Sequence, residues 1–153
     1  MPTVWRLVKT KYAGTAFDGE GARLYGGRWS SRGVRVAYGS GSVALAMLEV
    51  LVHLDAARLL ASYSLVTADV PDELITVLPA AALPSNWRHS PPPAATRAIG
   101  DAWVRGATSV ALAVPSAIVE SELNYLLNPA HRSFGKIRIG APRRFALDPR
   151  LAR

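Results

Sequence analysis

The stretch that decides the fold class reads V-R-V-A-Y-G-S over Val34–Ser40 and, after one glycine, S-V-A-L-A-M-L-E-V-L-V-H-L over Ser42–Leu54. In the first part Val34, Val36 and Tyr38 fall on one face of a β-strand, because successive side chains of a strand point to opposite faces. The second part is too long for a strand and rich in alanine and leucine, so it predicts a helix that Ser42 can cap.

The predicted helix has an unusually narrow polar face. At about 100° per residue, Ser42, Ala46, Glu49 and His53 fall within a sector of about 40°, and every other position is apolar. We therefore expect this helix to be buried around most of its circumference. A partly desolvated Glu49 needs either a structural partner or a functional role, and His53, one turn later, is a candidate hydrogen-bond partner.

The remainder of the chain favours a mixed α+β domain. A glycine-dense stretch from Gly14 to Gly33 is expected to form a long loop without regular elements. We predict a short helix or turn at Glu120–Leu127, which ends before Pro129, and a helix at Thr96–Arg105 with Trp103 inward. Further strands are predicted at Val4–Lys9, Ala61–Val70, Leu74–Leu78 and Thr108–Val114, with a final pair at Lys136–Ile139 and Arg143–Ala146. The expectation is one domain over residues 1–153, with a mixed β-sheet core and a few flanking helices.

Composition excludes several kinds of site. The chain has 153 residues, of which 50% are hydrophobic and 19% charged, as in one globular domain with a real core. It has no cysteine, which excludes disulfides, thiolate metal sites and cysteine nucleophiles, and its three histidines are too scattered to predict a metal site. The first residues lack the apolar core of a signal peptide, and Glu49 interrupts the longest apolar stretch. We therefore expect a soluble, cytoplasmic protein.

The net charge of +7 is unevenly distributed. Residues 1–38 contain seven basic and two acidic residues, residues 39–131 four and eight, and residues 132–153 seven and one. The basic residues comprise 15 arginines and 3 lysines, and the planar guanidinium suits phosphate and carboxylate groups. This pattern fits an anionic ligand, an acidic partner protein or nucleic acid, although a GC-rich genome also replaces lysine with arginine.

Individual residues give several candidates for chemistry. Arg28 follows Gly26 and Gly27, so its guanidinium can point into a cleft, although an ordinary exposed turn is the usual environment of such an arginine. Tyr38 can stack on a planar ligand or fill the core. Ser116 follows a buried strand and can project into a pocket or serve as a cap; it lacks the G-x-S-x-G context of a hydrolase nucleophile.

In combination and order these residues resemble the RES domain family, which supplies the toxins of bacterial RES–Xre toxin–antitoxin pairs. The resemblance extends from Val4 to about Asp148. It is carried by G-A-R-L-Y-G-G-R-W over Gly21–Trp29, then Gly33, Tyr38, Ser40, Ala46 and Glu49, and later V-P-S over Val114–Ser116 and N-Y-L-L-N-P-A-H over Asn124–His131. In one departure, Ser30 stands where the family commonly has asparagine.

The resemblance implies a fold similar to that of ADP-ribosyltransferase toxins and a set of site residues. Arg28 would hold the diphosphate or the adjoining ribose of NAD, Tyr38 would stack on or orient nicotinamide, Glu49 would stabilise the oxocarbenium-like centre, and Ser116 would bind the nicotinamide end. We expect these four residues to be catalytic. Substrate binding is expected from Ser40, His53, Asn128 and Trp29, and His131 matches the family's N-P-x-H stretch.

The implied activity is consumption of NAD as a substrate, by hydrolysis or phosphorolysis of the nicotinamide–ribose bond, without a metal or other cofactor. ADP-ribosylation of a protein is the alternative enzymatic activity. The resemblance further implies an Xre-like antitoxin with a helix-turn-helix domain that covers the active site, a homodimer within a larger complex, contact with DNA only through the antitoxin, and no membrane association. Two other interpretations are a basic nucleic-acid-binding module and a merely structural buried ion pair between Arg28 and Glu49.

Overall fold

A computed structural model describes residues 1–54 and 61–152. Its eight strands form one sheet in the order β4-β5-β6-β2-β1-β3-β7, with β8 also paired to β3. The pairing of β4 with β5 is parallel, and the other pairings are antiparallel. The strands are β1 Thr3–Lys9, β2 Ala37–Ser40, β3 Tyr63–Asp69, β4 Ile75–Val77, β5 Ala111–Pro115, β6 Leu123–Leu127, β7 Arg138–Ile139 and β8 Arg143–Phe145.

Three α-helices accompany the sheet in the described ranges. They are α1 Glu20–Tyr25, α2 Val43–Leu51 and α3 Ala94–Gly106, and short 3-10 turns lie at Thr10–Thr15, Asp72–Leu74, Ala80–Ala82, Phe134–Lys136 and Pro149–Ala152. The predicted α+β class, with a mixed sheet and a few flanking helices, is confirmed. No helix in this part of the chain is both long and apolar enough to cross a membrane.

Both faces of the central strands are buried. On one face Leu112 and Leu126 pack with Trp103 of α3, whereas Ala111 and Leu127 belong to a cluster on the opposite face. On β1 and β3, a third cluster at Leu7, Tyr63 and Leu65 receives partly buried side chains of α2. Two-sided packing fixes α2 and α3 against different parts of the sheet; α2 lines the cavity described below, whereas α3 contacts a loop that borders it.

Strands β1 and β2 are paired at one position and are otherwise separated. This separation, called the split below, opens a cavity in the sheet. β1 pairs with β3 over seven positions, but with β2 the described pairing is confined to Trp5 and Ser40. The Arg6 guanidinium donates to the carbonyl oxygen of Tyr38 at 2.7 Å. A side chain thus supplies the hydrogen bond that a backbone amide of β1 would supply if the two strands were paired over a longer stretch. Side chains of both strands can therefore line a space between them.

Several predicted elements need correction. The helix or turn at Glu120–Leu127 is wrong, because Leu123–Leu127 is a central strand between β5 and β2. The glycine-dense stretch is not free of regular structure, since it contains α1 and part of a 3-10 turn. The strand predicted from Val34 begins at Ala37, and the two last strands pair with β3 rather than with each other.

The helix after Ser42 is confirmed, but its burial is not. The Ser42 hydroxyl accepts the Leu45 amide at 3.1 Å and so caps α2 as predicted. Leu45 and Ala46 are buried, yet Leu48 and, just past the end of α2, Val52 are 38% and 58% exposed. Apolar residues therefore surround more of the helix than the sheet covers.

Candidate active site

A cavity of about 640 Å³ lies between β1, β2 and α2 and is bordered by the loops on either side. The charged side chains among its lining residues are those of Arg6, Arg28, Glu49 and Arg88, with His53 also present. The lining thus contains three arginines and one carboxylate, and Arg88 also pairs with Glu120, which lies outside the lining, at 3.3 Å. Of the predicted site residues, the structure brings Arg28, Trp29, Tyr38, Ser40, Glu49 and His53 to this cavity.

Glu49 is held by two hydrogen bonds to the same carboxylate oxygen. Its Oε1 accepts from the Ser116 hydroxyl at 2.9 Å and from the Asn124 amide nitrogen at 2.6 Å. Asn124 is itself oriented by Ser40, whose hydroxyl donates to the amide oxygen at 2.8 Å. With both donors on Oε1, the second oxygen, Oε2, has no protein partner in the described chain. The arrangement fixes the carboxylate in a half-buried position with one oxygen available to a ligand.

Ser116 lies behind Glu49 and does not line the cavity. Its side chain is fully buried, and its hydroxyl oxygen accepts the backbone amides of Ile118 and Val119 at 3.0 and 3.2 Å while donating to Glu49. The expected contact of Ser116 with the nicotinamide end of NAD therefore does not fit this geometry. The geometry instead supports a role in orienting Glu49.

Arg28 enters the cavity from a tight loop. Gly26 has a left-handed backbone (φ 73°), and a Cβ at Gly27 would lie 2.7 Å from the Tyr38 hydroxyl oxygen, so both glycines are needed to bring the loop against β2. One terminal nitrogen of the Arg28 guanidinium donates to the carbonyl oxygens of Trp87 and His89 at 2.9 and 2.7 Å. No side-chain or backbone group of the described residues accepts from its other nitrogens, which remain available to a ligand.

The charge of Glu49 affects Arg28, but the two side chains do not form an ion pair in the described chain. Partial burial lowers the pKa of its guanidinium, and the negative charge of Glu49 opposes this effect. No ion pair within 4 Å joins Arg28 and Glu49 among the described residues, whereas Glu49 binds Ser116 and Asn124. The interpretation of Arg28 and Glu49 as a merely structural buried ion pair therefore lacks the contact between the two side chains that it requires.

Tyr38 supports the loop that carries Arg28. Its hydroxyl accepts the Trp29 amide at 3.2 Å and shares a hydrogen bond of 2.7 Å with the Ser30 hydroxyl. Ser30 is fully buried, so the serine that departs from the family pattern serves as a direct loop contact. Burial raises the pKa of the Tyr38 phenol to about 12.

Three residues that the resemblance singled out make structural contacts within the protein. Asn128 borders a different depression, where its side-chain oxygen accepts the Ala130 amide. His131, which the resemblance also singled out, bridges the Ala107 carbonyl and the Ser133 amide at 2.9 and 3.0 Å, so it fixes a turn. Trp29 borders the cavity but is only 2% exposed, with its side chain packed in the core.

His53 also differs from its predicted contact. It is exposed beside the cavity, and within the described chain Glu49 takes its hydrogen bonds from Ser116 and Asn124 instead. The histidine lies close enough in the lining to touch a ligand, but it does not orient the carboxylate.

Sequence reasoning missed Arg6, Arg88 and Asn124. Arg6 lies on β1, and its buried Nε has no hydrogen-bond partner among the residues that the structure describes. Desolvation lowers the pKa of its guanidinium, and the charge of Asp18 opposes this. An arginine between the apolar pairs Val4–Trp5 and Leu7–Val8 was the available signal. Arg88 stacks near the Trp87 ring and donates to the Ala117 carbonyl. Asn124 was missed because its segment was not recognised as a strand.

Comparison with known proteins first defines the class to which this fold and site belong. A chain of the M. tuberculosis MbcT-MbcA toxin-antitoxin complex superposes with a TM-score of 0.78 and 25% sequence identity, over 99% of this chain and 86% of that one. The fold is therefore one found in a toxin–antitoxin complex.

The family is then shown by sequence. The RES domain profile matches residues 3–148, and the chain belongs to the RES domain family. "Toxin Res" of Yersinia enterocolitica is 41% identical over 97% of this chain and 98% of its own length. "Prs ADP-ribosylating toxin" of Sphingobium sp. is 36% identical over 97% and 96%, respectively.

Proposed function

We propose that this protein is the toxin of a bacterial toxin–antitoxin pair and that it consumes NAD by cleaving the bond between nicotinamide and ribose. The observation that carries the proposal is Glu49, whose Oε1 is fixed by Ser116 and Asn124 in a cavity that Arg6, Arg28 and Arg88 make cationic. The toxin names of relatives that match nearly the whole chain support the biological role.

Cleavage of this bond leaves positive charge on the ribose ring. A carboxylate near that ring lowers the energy of the oxocarbenium-like state, since opposite unit charges about 4 Å apart attract by roughly 4 kcal/mol at an effective dielectric of 20. Glu49 Oε2 supplies this charge and can also accept a ribose hydroxyl. Because Oε1 is already held, the carboxylate does not have to reorganise as the charge develops.

The arginines would bind the diphosphate. Arg28 retains donors that are not used by Trp87 and His89, and the buried Nε of Arg6 has no partner within the described protein. A dianionic diphosphate would compensate both desolvated guanidinium groups. The nicotinamide ring, which is a cation until it leaves, would be repelled by the arginines and would lie toward Glu49 and Tyr38.

The test is nicotinamide release from NAD by purified, antitoxin-free protein, with and without phosphate. We expect release that depends on Glu49, with Glu49→Ala as the inactive reference. Faster turnover with phosphate and formation of an ADP-ribose phosphate would assign phosphorolysis, whereas unchanged turnover would assign hydrolysis. Release no greater than that of Glu49→Ala would refute the proposal.

Transfer of ADP-ribose to a protein is the second candidate. It is favoured by the relative named "Prs ADP-ribosylating toxin", which matches this chain over 97% of its length. The same carboxylate would stabilise the same charged ribose, so only the acceptor differs. NAD labelled in its adenosine part separates the two: label that remains on a protein supports transfer, and label recovered only as small molecules contradicts it.

An antitoxin with an Xre-like helix-turn-helix domain is the proposed partner, and it would cover the cavity. The superposed M. tuberculosis chain belongs to a toxin-antitoxin complex, and exposed Leu48 and Val52 lie on or just after α2, with Val52 lining the cavity. We also propose a homodimer within that assembly and location in the cytoplasm. Co-expression with the neighbouring reading frame should yield a complex in which nicotinamide release is suppressed; an active complex would contradict coverage of the site.

A further inference from the structure

One face of α3 binds the backbone of the arginine loop, which is the segment Gly27–Ser31. The Thr96 hydroxyl donates to the Arg28 carbonyl oxygen at 2.6 Å. Asp101, little more than one turn further along the helix, accepts the Ser31 amide on Oδ1 at 2.9 Å and the Ser31 hydroxyl on Oδ2. The loop is therefore fixed to α3 on both sides of Trp29 and Ser30.

Gly100 lies between these two contacts and lets the helix approach the loop. A Cβ at this position would lie 1.6 Å from the Trp29 carbonyl oxygen and 2.8 Å from its carbonyl carbon, which no backbone arrangement of this kind can accommodate. Glycine in a helix interior costs up to about 1 kcal/mol relative to alanine. This loss of helix stability is offset if the close approach of α3 to the loop is needed for the site.

Among the described residues, no hydrogen bond joins α3 to the Glu49 network. The donors to Glu49 come from Ser116, after β5, and from Asn124 on β6. Thr96 is fully buried, and its hydroxyl is shared with the Pro93 carbonyl. The arginine and the carboxylate of the site are thus positioned by separate sets of residues.

We infer that Thr96, Gly100 and Asp101 are positioning residues that hold the Arg28 guanidinium where it can bind the substrate diphosphate. The inference rests on the proposed function and deepens it. Arg28 is fixed at its carbonyl by Thr96 and at its guanidinium by the Trp87 and His89 carbonyls, so a shift of the loop on α3 moves the side chain out of register with the cavity.

The inference predicts a change in KM for NAD with little change in kcat. Asp101→Ala removes both contacts to Ser31 and should raise KM about tenfold, the factor that corresponds to roughly 1.4 kcal/mol of binding free energy. Asp101→Asn should restore most of the affinity, because its side-chain oxygen still accepts the Ser31 amide and its NH₂ can donate to the Ser31 hydroxyl oxygen. Glu49 chemistry, and hence kcat, should stay within about threefold.

A double-mutant cycle distinguishes positioning from general stabilisation. If Asp101 acts through Arg28, Asp101→Ala in an Arg28→Ala background should change KM by no more than about twofold. A further tenfold loss in that background, or a lower melting temperature with unchanged KM in the single variant, would overturn the inference.

Two glycines of the same helix provide a matched pair. Gly100→Ala should raise KM, because the new methyl group displaces the Trp29 carbonyl, whereas a Cβ at Gly106 meets nothing within 4 Å. Gly106→Ala should therefore leave KM unchanged. Equal kinetics for the two variants would contradict the inference, and if Gly100→Ala does not fold, the Asp101 cycle decides.

Hydrogen exchange separates this inference from the proposed function. The Ser31 amide should exchange faster in Asp101→Ala than in wild type, while amides of β5 and β6 remain protected. If the wild-type protein releases no nicotinamide, the proposed function fails. If it does, and neither KM nor Ser31 exchange responds to Asp101→Ala, the inference alone fails.

Discussion

Replacing Glu49 with glutamine removes one charge from the cavity while preserving nearly every contact. Glutamine Oε1 can still accept the Ser116 hydroxyl and the Asn124 amide, which both bind Oε1 of the glutamate. The new amide nitrogen takes the place of Oε2, which has no protein partner in the described chain. The variant should therefore fold normally, with a melting temperature close to that of wild type.

The expected loss of activity follows from the charge. A full unit charge about 4 Å from the carboxylate is stabilised by roughly 4 kcal/mol at an effective dielectric of 20, and each 1.4 kcal/mol corresponds to a tenfold change in rate. Because the ribose carries only part of a unit charge in the transition state, we expect kcat to fall about 10²- to 10³-fold. KM should change less, since the diphosphate is assigned to the arginines.

Nicotinamide release at saturating NAD measures this effect, with thermal unfolding as the test of folding. Glu122→Gln is the matched control, because Glu122 also accepts a serine hydroxyl, from Ser42 at the start of α2, but does not line the cavity. The control should keep wild-type kcat. A folded Glu49→Gln protein with kcat within tenfold of wild type would refute the electrostatic role of this carboxylate.

Three other substitutions test the remaining assignments. Ser116→Ala should lower kcat about tenfold by releasing Glu49 and should cost about 1–3 kcal/mol of unfolding free energy, because two part-buried backbone amides lose their acceptor; unchanged kcat in the folded variant would contradict its orienting role. The pKa of Tyr38 is about 12 in the folded protein and about 10 in the unfolded chain, so the folded protein holds this proton more tightly. Between about pH 10 and pH 12 the unfolding free energy should therefore fall by up to about 1.4 kcal/mol per pH unit. Urea titrations of Tyr38→Phe should lack this part of the slope, and an identical slope in both proteins would exclude the assignment. His131→Ala should release nicotinamide at a rate within twofold of wild type and should lose about 1–2 kcal/mol of unfolding free energy, since its contacts are to backbone outside the cavity. A large loss of kcat would show that His131 contributes to the reaction.

The sequence predicted α2 and singled out Glu49 because both depend on local signals. Ser42 caps the helix through its own side chain, and Glu49 is conspicuous in a run of apolar residues. The partner of Glu49 could not be inferred in the same way. His53 is one helical turn away, but Ser116 and Asn124 reach the carboxylate from 67 and 75 residues further along the chain.

The misassigned strand β6 has a clear physical cause. Tyr125, Leu126 and Leu127 are all buried, because β6 is central and both sheet faces are covered. A strand buried on both faces lacks the alternation of apolar and polar residues, and a short apolar run of this kind cannot be distinguished from a buried helix by periodicity. The same error concealed Asn124, which lies on that strand.

Net charge proved a poor guide to where the arginines of the site lie. Arg6 and Arg28 come from the basic N-terminal segment, but Arg88 comes from the net-acidic middle of the chain. None of the described residues after position 131 lines the cavity, although that segment contains seven basic residues; on β7 and β8 its arginines are exposed along the far part of the sheet. Whether an arginine serves the site depends on its position relative to the split between β1 and β2. That split is a property of long-range strand pairing, so segment charge can indicate an anionic partner but cannot locate where it binds.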